Sequence, residues 1–270
     1  MGATVTKQPG RPATPDLVSC VRRGQGYWLE SYLSMLRFDI ASQRTPLPVF
    51  LIMQILFGVG TAIIYGFYVG QLSPEAALFI VSGAPALAVI AVGIVAVPSM
   101  VTDRQTAGTW DFIWSLPVPR SASVASSFTV YTGLTIPGIV VTMALASWRY
   151  GLSLHPTPMV IPAFLLCSLM ATSVGFGMAQ VIRNPLVTNV AINALIFVVF
   201  LFSPVMFPID HFPHWLAAVH RVLPIYPLAQ VMRASITNGL VHNLSICYAI
   251  LAGWTVAAWT ATAWVIGRRR

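Results

Sequence analysis

Lysine is almost missing from this chain: Lys7 is the only one in 270 residues, and Asp and Glu together number 7. Charged residues make up 8% of the sequence, whereas a soluble domain carries about 25%, and 57% of the residues are hydrophobic at a mean hydropathy of +0.78. A single soluble fold has no interior large enough to hide that much apolar surface, so lipid must be the solvent for much of the chain. The lysine shortage also excludes a P-loop. That motif needs Gly-x-x-x-x-Gly-Lys-Ser/Thr, because backbone amides and one lysine cradle the phosphates, and Lys7 has no such context. Cysteine is scarce too: Cys20, Cys167 and Cys247 show no paired spacing, which argues against both a disulfide framework and a zinc site. The first 46 residues hold no apolar h-region, so a cleaved signal peptide is not expected.

What the chain does have is long apolar runs, at about the 20 residues that a helix needs to cross hydrocarbon. Six qualify: 47–69, 78–101, 124–147, 158–182, 187–209 and 244–267, none containing Asp, Glu, Lys, Arg or His. Proton and ion relays in transporters use ionisable residues at membrane depth, so the chain lacks that engine as well as an ATP-binding one. It is either passive or driven by something it touches. An intramembrane hydrolase would need a nucleophile with its base, paired carboxylates or a metal triad. The acids Asp16, Glu30, Asp39, Glu75, Asp103, Asp111 and Asp210 all fall outside the runs, so the expectation is no enzyme.

The net charge of +8 does not form a basic face for nucleic acid. The positive residues sit at the chain ends and in short loops, where they suit anionic lipid, at about 1 kcal/mol each near the surface. Lys7, Arg11, Arg22, Arg23, Arg37 and Arg44 precede the first run, Arg104 and Arg120 follow the second, Arg183 follows the fourth, and Arg268, Arg269 and Arg270 end the chain. The opposite side holds only Arg149, Arg221 and Arg233. The positive-inside rule then places both termini in the cytosol, in agreement with an even number of spans.

Residues 1–26, rich in Pro and Gly, read as a flexible cytosolic start. Within 27–45, Leu29, Tyr32, Leu33, Leu36 and Ile40 follow a helical period while Glu30, Ser34, Arg37 and Arg44 take the other face. This is an amphipathic helix, expected to lie in the membrane interface with its apolar face down. The rest, 46–270, is the six-span domain. Gly83 and Pro85, Pro137 and Gly138, Gly175 and Gly177, and Pro204 interrupt its runs. These serve either as hinges or as small residues that let helices pack closely.

Two segments stand out, one of them strongly apolar although it joins two runs. The outer one, 207–239, places Trp215, Leu216, Val219, Val222 and Leu223 on one helical stripe, is broken at Pro224 and Pro227, and starts a second stripe with Leu228, Val231 and Met232. It is expected to form a pair of short helices on or in the outer leaflet. His211 and His214 beside Asp210, with His220 farther on, could hold a metal ion, but polar residues at an interface are the better account, since metal ligands usually form a fuller set.

The second segment is the loop 102–122, containing "TDRQTAGTWDFIWSLPVPR". Its composition predicts a short helix over 105–116 after Asp103, whose charge suits a helix N-terminus. Trp110 and Trp114 lie one turn apart on an aromatic face, and "LPVPR" enforces an extended exit. Arg104 and Arg120 flank it, so the whole resembles a small docking surface with aromatic and arginine anchors.

This pattern resembles the membrane subunit of type-2 ATP-binding-cassette exporters. The matching residues are Asp103-Arg104, Gly108-Thr109, Leu116-Pro117 and Arg120 in the loop, Asp103 standing where the family commonly has Glu. Farther on, the Phe-Pro turn at Pro208, the Pro-x-Trp at Pro213 and Trp215, the Leu-Pro at Pro224 and Arg233 ahead of the last span are similar to the family's outer segment. The resemblance implies an all-α integral membrane protein of six transmembrane helices, with an N-terminal interfacial helix, a cytosolic coupling helix and an outer re-entrant helical hairpin. It further implies a permease subunit of the plasma (inner) membrane, paired with a second half, identical or homologous, above two cytosolic ATPase subunits. ATP and Mg bind the partner, and this chain holds no cofactor. Asp103, Arg104, Gly108, Thr109, Leu116, Pro117 and Arg120 would carry the coupling, with Trp110 and Trp114 as anchors. Uncharged spans suit an amphipathic drug or lipid, and lipid-linked glycan exporters have similar spans. A lipid-modifying membrane enzyme and a scaffold without transport are the rival readings, neither with a sequence feature in its favour.

Overall fold

The computed structural model describes residues 24–44, 74–150, 157–182, 184–205, 208–237 and 244–267, together with 47, 48, 50–52, 54–56, 60, 63 and 241. The flexible start over 1–26 and the first run at 47–69 therefore lie largely outside the described residues, and Arg183 wholly so. Among those described there is no strand, and helix follows helix from α1 (Gln25–Ser42) to the end of the chain. The second run becomes one long rod in three parts: α2 (Pro74–Ile90), a π-helical stretch (Ala91–Ala96) and α3 (Val97–Thr106). After it come α4 (Thr109–Ser115), α5 (Arg120–Tyr150), α6 (Val160–Val181), α7 (Pro185–Phe202), a 3-10 turn (Ile209–His211), α8 (His214–Val222), α9 (Ile225–Ile236) and α10 (Leu244–Gly267). Four stretches, Leu78–Thr106, Arg120–Leu145, Val160–Val181 and Leu244–Thr262, are long and apolar enough to cross a membrane, and Pro185–Val199 is a shorter apolar helix. This is an all-α membrane protein.

The fifth apolar run extends to residue 209, but its helix does not. It stops at Phe202, because Ser203 is extended and Pro204 cannot continue a helix. Pro85 and Pro137, by contrast, sit inside α2 and α5 without ending them.

The fold is organised around α6, which packs against α2, the π stretch, α3, α5, α9 and α10. Its sequence explains why. Ala163, Cys167, Ser168, Ala171, Thr172, Ser173, Gly175, Gly177 and Ala179 are all buried, and all are small. Between helices in lipid there is no hydrophobic driving force, so close approach and dispersion hold the bundle, and small residues permit that approach. At Gly93 an added Cβ would sit 2.9 Å from the backbone nitrogen of Thr172, and one at Gly175 would be 3.0 Å from Pro98 Cδ and inside the contact radius of the Gly93 carbonyl oxygen.

Two apolar clusters result. One, toward α8 and α9, joins Ile80, Leu87, Ile90, Ile94, Met170, Leu228 and Met232. The other, toward α4, joins Val92, Val97, Val101, Tyr131, Leu134, Phe176 and Ala179, with Trp110 and Phe50 against it.

At the α8–α9 end the two expected short helices are present. Their break is at Leu223 and Pro224 only. Pro227, expected as a second breaker, lies in the first turn of α9, where an absent amide hydrogen costs nothing. The stripe of Trp215, Val219 and Val222 on α8 is exposed, whereas Leu228, Val231 and Met232 on α9 face the core.

Candidate functional site

The loop between the second and third long helices folds differently from a single helix over 105–116. The α3 helix carries on to Thr106, two residues turn, and α4 begins afresh at Thr109. The turn needs Gly108, whose φ of 71° lies in the left-handed region that a Cβ disfavours. Asp103 is consequently in the last turn of α3 rather than at a helix start, so the expected macrodipole benefit at that residue does not apply. Its carbonyl accepts from the Ala107 amide at 3.0 Å and the Thr106 hydroxyl at 3.0 Å, and the residue is exposed.

Arg104 and Arg120 do not form an exposed pair. Arg120 opens α5 at the surface, but Arg104 is only 8% exposed and points into the bundle. Its Nη1 donates to Asp39 Oδ1 at 2.9 Å, and its Nη2 donates to Ser42 Oγ at 3.2 Å. The other carboxylate oxygen, Asp39 Oδ2, accepts from Ser126 Oγ at 2.6 Å and Ser127 Oγ at 3.0 Å. Asp39, itself 1% exposed, is thus a junction of α1, α3 and α5. A buried ion pair is costly to desolvate and worth keeping only when its remaining lone pairs and protons are satisfied; here the carboxylate has three donors.

More contacts fasten α1 to the exit of the loop. The Tyr27 hydroxyl donates to the Pro117 carbonyl, Trp28 Nε1 donates to Ser121 Oγ at 3.0 Å, and the Tyr32 and Thr129 hydroxyls are bonded at 2.9 Å. Trp28 and Tyr32 stack with centroids 5.5 Å apart. The α1 helix therefore buries Ser31, Met35 and Asp39 against the bundle, while Leu29, Leu33 and Ile40 stay exposed. Its apolar stripe is not what it packs on the protein.

The aromatic face of α4 is likewise rearranged. Trp110 turns inward, its ring 5.7 Å from that of Phe176 on α6, and Ile113 is buried. The Trp114 side chain lies outside those described. Among the described side chains of α4 the outward aromatic is Phe112, 55% exposed, which the sequence reading did not single out. Leu116 takes the extended conformation expected of "LPVPR". Beneath α4 is a cavity of about 150 Å³ lined by Trp110, Ile113, Leu116, Arg120, Ser127 and Phe176 among others. Thr109 starts the helix, half-buried, and Pro117 is exposed beside it.

At the far end, Pro208 and Pro213 precede the 3-10 turn and α8, Pro224 precedes α9, and Trp215 is exposed. Arg233 is fully buried. Its Nε donates to Ser82 Oγ at 3.0 Å, its Nη2 to the carbonyls of Val205 at 2.7 Å and Phe79 at 3.3 Å, and its guanidinium lies 3.5 Å from the centre of the Phe79 ring. Burial draws its pKa down to about 9, with Tyr226 opposing. His220 is buried with its ring near Phe212, and His214 opens α8 at the surface. Among the described residues no group of three metal-ligating side chains converges.

The residues that sequence reasoning missed are those that grip the loop from the side: Asp39, Ser42, Ser126, Ser127 and the Tyr27, Trp28, Tyr32 row. One signal was available. Asp39 lies four residues from Met35 and eight from Ser31 on a helix, so a carboxylate shares the buried face of α1 in a chain with few acids to spare.

No curated protein matches the chain. The sequence profile of the family described as ABC-2 type transporter matches residues 33–237, a stretch that runs from α1 through the loop and its grip to the end of α9. With its apolar helices and without a nucleotide-binding motif of its own, the chain belongs to that family, as one of its membrane permeases.

Proposed function

We propose that this permease is the conduit of an exporter whose motor is a separate cytosolic ATPase, and that α4 is the coupling helix on which the motor docks. The observation that carries the reading is the way α4 is mounted. It is short, presents Phe112 outward, and sits at the end of a rod, α3, that Arg104 locks to α1 and α5. A push on Phe112 and its neighbours is therefore delivered to three helices at once, which is what a chain with no engine of its own requires.

In this reading six helices span the membrane, the first over 47–69, with both termini in the cytosol. The α1 helix lies in the inner interface with Leu29, Leu33 and Ile40 toward lipid. The α8–α9 pair re-enters from the outer side, Trp215 at the lipid boundary. Two such halves, identical or homologous, pair above two ATPases of the plasma (inner) membrane complex, and ATP and Mg bind those partners. The docking contacts are Phe112, Thr109, Asp103 and Arg120; Gly108, Leu116 and Pro117 give α4 its angle, Trp110 anchors it to α6, and Trp114 stays assigned to the same helix. The cargo is an amphipathic drug, a lipid or a lipid-linked glycan, because no span offers a charge to a charged cargo.

The test is purification of the full chain in mild detergent from its own host, with mass spectrometry of what accompanies it and assay of Mg·ATP hydrolysis. The expected companion is a P-loop ATPase without spans, lost from Phe112→Ala and Arg120→Ala variants that remain monodisperse. An ATPase that stays bound to both variants would refute α4 as the docking element, and transport of cargo by the chain alone would refute the division of labour.

A further inference from the structure

Three long helices change core part-way along, and two of them have an irregularity there. On the second span the change from the α8–α9 cluster to the α4 cluster falls between Val92, Ile94 and Val97, inside the π stretch Ala91–Ala96. On α5 it falls between Leu134 and Ile139, which bracket Pro137. On α6 it falls between Val174 and Phe176, at Gly175.

The local chemistry at the first two points weakens the helix. In the π stretch the Val97 amide donates to Val92, five residues back; the next donor, for the Gly93 carbonyl, would be residue 98, which is proline and has no amide hydrogen. That oxygen instead abuts the Cα of Gly175, where a Cβ could not fit, an arrangement suited to a weak C–H···O contact. In α5, Pro137 removes the donor to the Gly133 carbonyl in the same way. Gly138 next to it takes the Gln54 side chain so closely that a Cβ would lie 2.7 Å from its Cδ, and Thr142 Oγ1 bonds the Gly138 carbonyl at 2.6 Å. Kinks in long helices occur at such prolines and π bulges.

We propose that these points form one hinge plane: Pro98 and Pro137 let the α4-side layer, comprising α1, α3, α4 and the start of α5, swing as a body against the α8–α9-side layer, with the Gly93–Gly175 contact as pivot. The Asp39 junction makes the first layer a body, since it ties α1, α3 and α5 on that side of the plane. Arg233 does the same for the second, joining α9 to α2 and to the turn after α7. That the swing transmits the motor's work rests on the function proposed above; that the chain bends at this plane does not.

The experiment uses the full chain in lipid nanodiscs, with Cys20→Ser and the buried Cys167 and Cys247 left in place, and spin labels at exposed positions. Arg37→Cys with Met159→Cys spans the plane; Met159→Cys with Trp215→Cys lies within one layer. The hinge predicts a broader distance distribution for the first pair than for the second. It predicts that Pro98→Ala and Pro137→Ala, each restoring an amide donor and adding no bulk, narrow only the first. In complex with the ATPase, Mg·ATP shifts the first distance in the native chain, and the shift is lost in both variants. Equal breadth for the two pairs, no narrowing in the variants, or a nucleotide-driven shift that survives them overturns the hinge. If no ATPase binds, the docking reading fails and the chain-alone comparison still decides the hinge.

Discussion

Replacing Asp39 by Ala tests the mounting of the α3–α4 loop more sharply than any change in the loop itself. The carboxylate is 1% exposed and accepts three hydrogen bonds, one from an arginine that is 8% exposed. Without it Arg104 keeps its charge but retains only the Ser42 hydroxyl at 3.2 Å, Ser127 loses its acceptor, and Ser126 is left with the Ser123 carbonyl at 2.8 Å. Breaking a buried pair from one side costs about 3–5 kcal/mol, because an uncompensated charge is left behind. Removing both partners removes that orphan. The double variant Asp39→Leu/Arg104→Met keeps the volume and is expected to cost less than Asp39→Ala alone, so the two sites should be non-additive by about 1–3 kcal/mol. The assay is reversible unfolding of the detergent-solubilised full chain, followed by far-UV circular dichroism against SDS mole fraction. Asp39→Asn separates charge from shape: it keeps an acceptor for the serines and should fall between native and Asp39→Ala. An Asp39→Ala variant within about 0.5 kcal/mol of native, or single effects that simply add, would show that Arg104 finds water or another partner and that the junction does not hold α3.

Three further outcomes rest on the same kinds of contact. Arg233→Ala should destabilise the chain by about 2–4 kcal/mol, since it leaves the Val205 carbonyl and the Ser82 hydroxyl without their donor in a buried site; Arg233→Lys should recover only part, because one ammonium cannot replace the guanidinium fork. Gly175→Ala should cost about 1–3 kcal/mol in the same unfolding assay through overpacking against Gly93 and Pro98, whereas Gly133→Ala, with nothing within 4 Å of its added Cβ, should be neutral or stabilising by up to about 1 kcal/mol. Gly108→Val should lose about 1–2 kcal/mol at its left-handed φ of 71°, and Gly108→Asn should lose less; equal loss in the two would mean that side-chain size, and not backbone conformation, sets the turn.

The parts of this molecule that are legible in the sequence are those governed by a one-dimensional property. A span is long and apolar or it is not, so helices over 78–101, 124–147, 158–182 and 244–267 are foreseeable. Turn chemistry is local in the same sense. Pro117 marks where α4 ends, since a proline forces the residue before it, Leu116, into extended backbone, whereas the helix expected over 105–116 runs through Gly108, the residue at which the chain turns and α4 begins afresh.

What is not legible depends on which face of a helix meets which neighbour. Hydrophobic period alone assigns Leu29, Leu33 and Ile40 to one side of an amphipathic helix, without saying that the bundle takes the other. In the bundle the polar Ser31 and Asp39 are the ones buried, because Arg104, Ser126 and Ser127 converge there from 62 or more residues away in sequence. In a membrane protein polarity is a poor guide to exposure. A polar group facing lipid has no partner, so the few such groups that the chain retains are drawn inward to one another. The same reasoning inverts α8 and α9, where Trp215, Val219 and Val222 face out while Arg233 is fully buried. Arg104 and Arg233 therefore do one job at opposite ends: each commits a cation to tying three segments into a body, and the helices between them are left with prolines, glycines and a π turn. Rigid ends joined by a weakened middle suit the role proposed above, in which force applied at α4 is felt at α9.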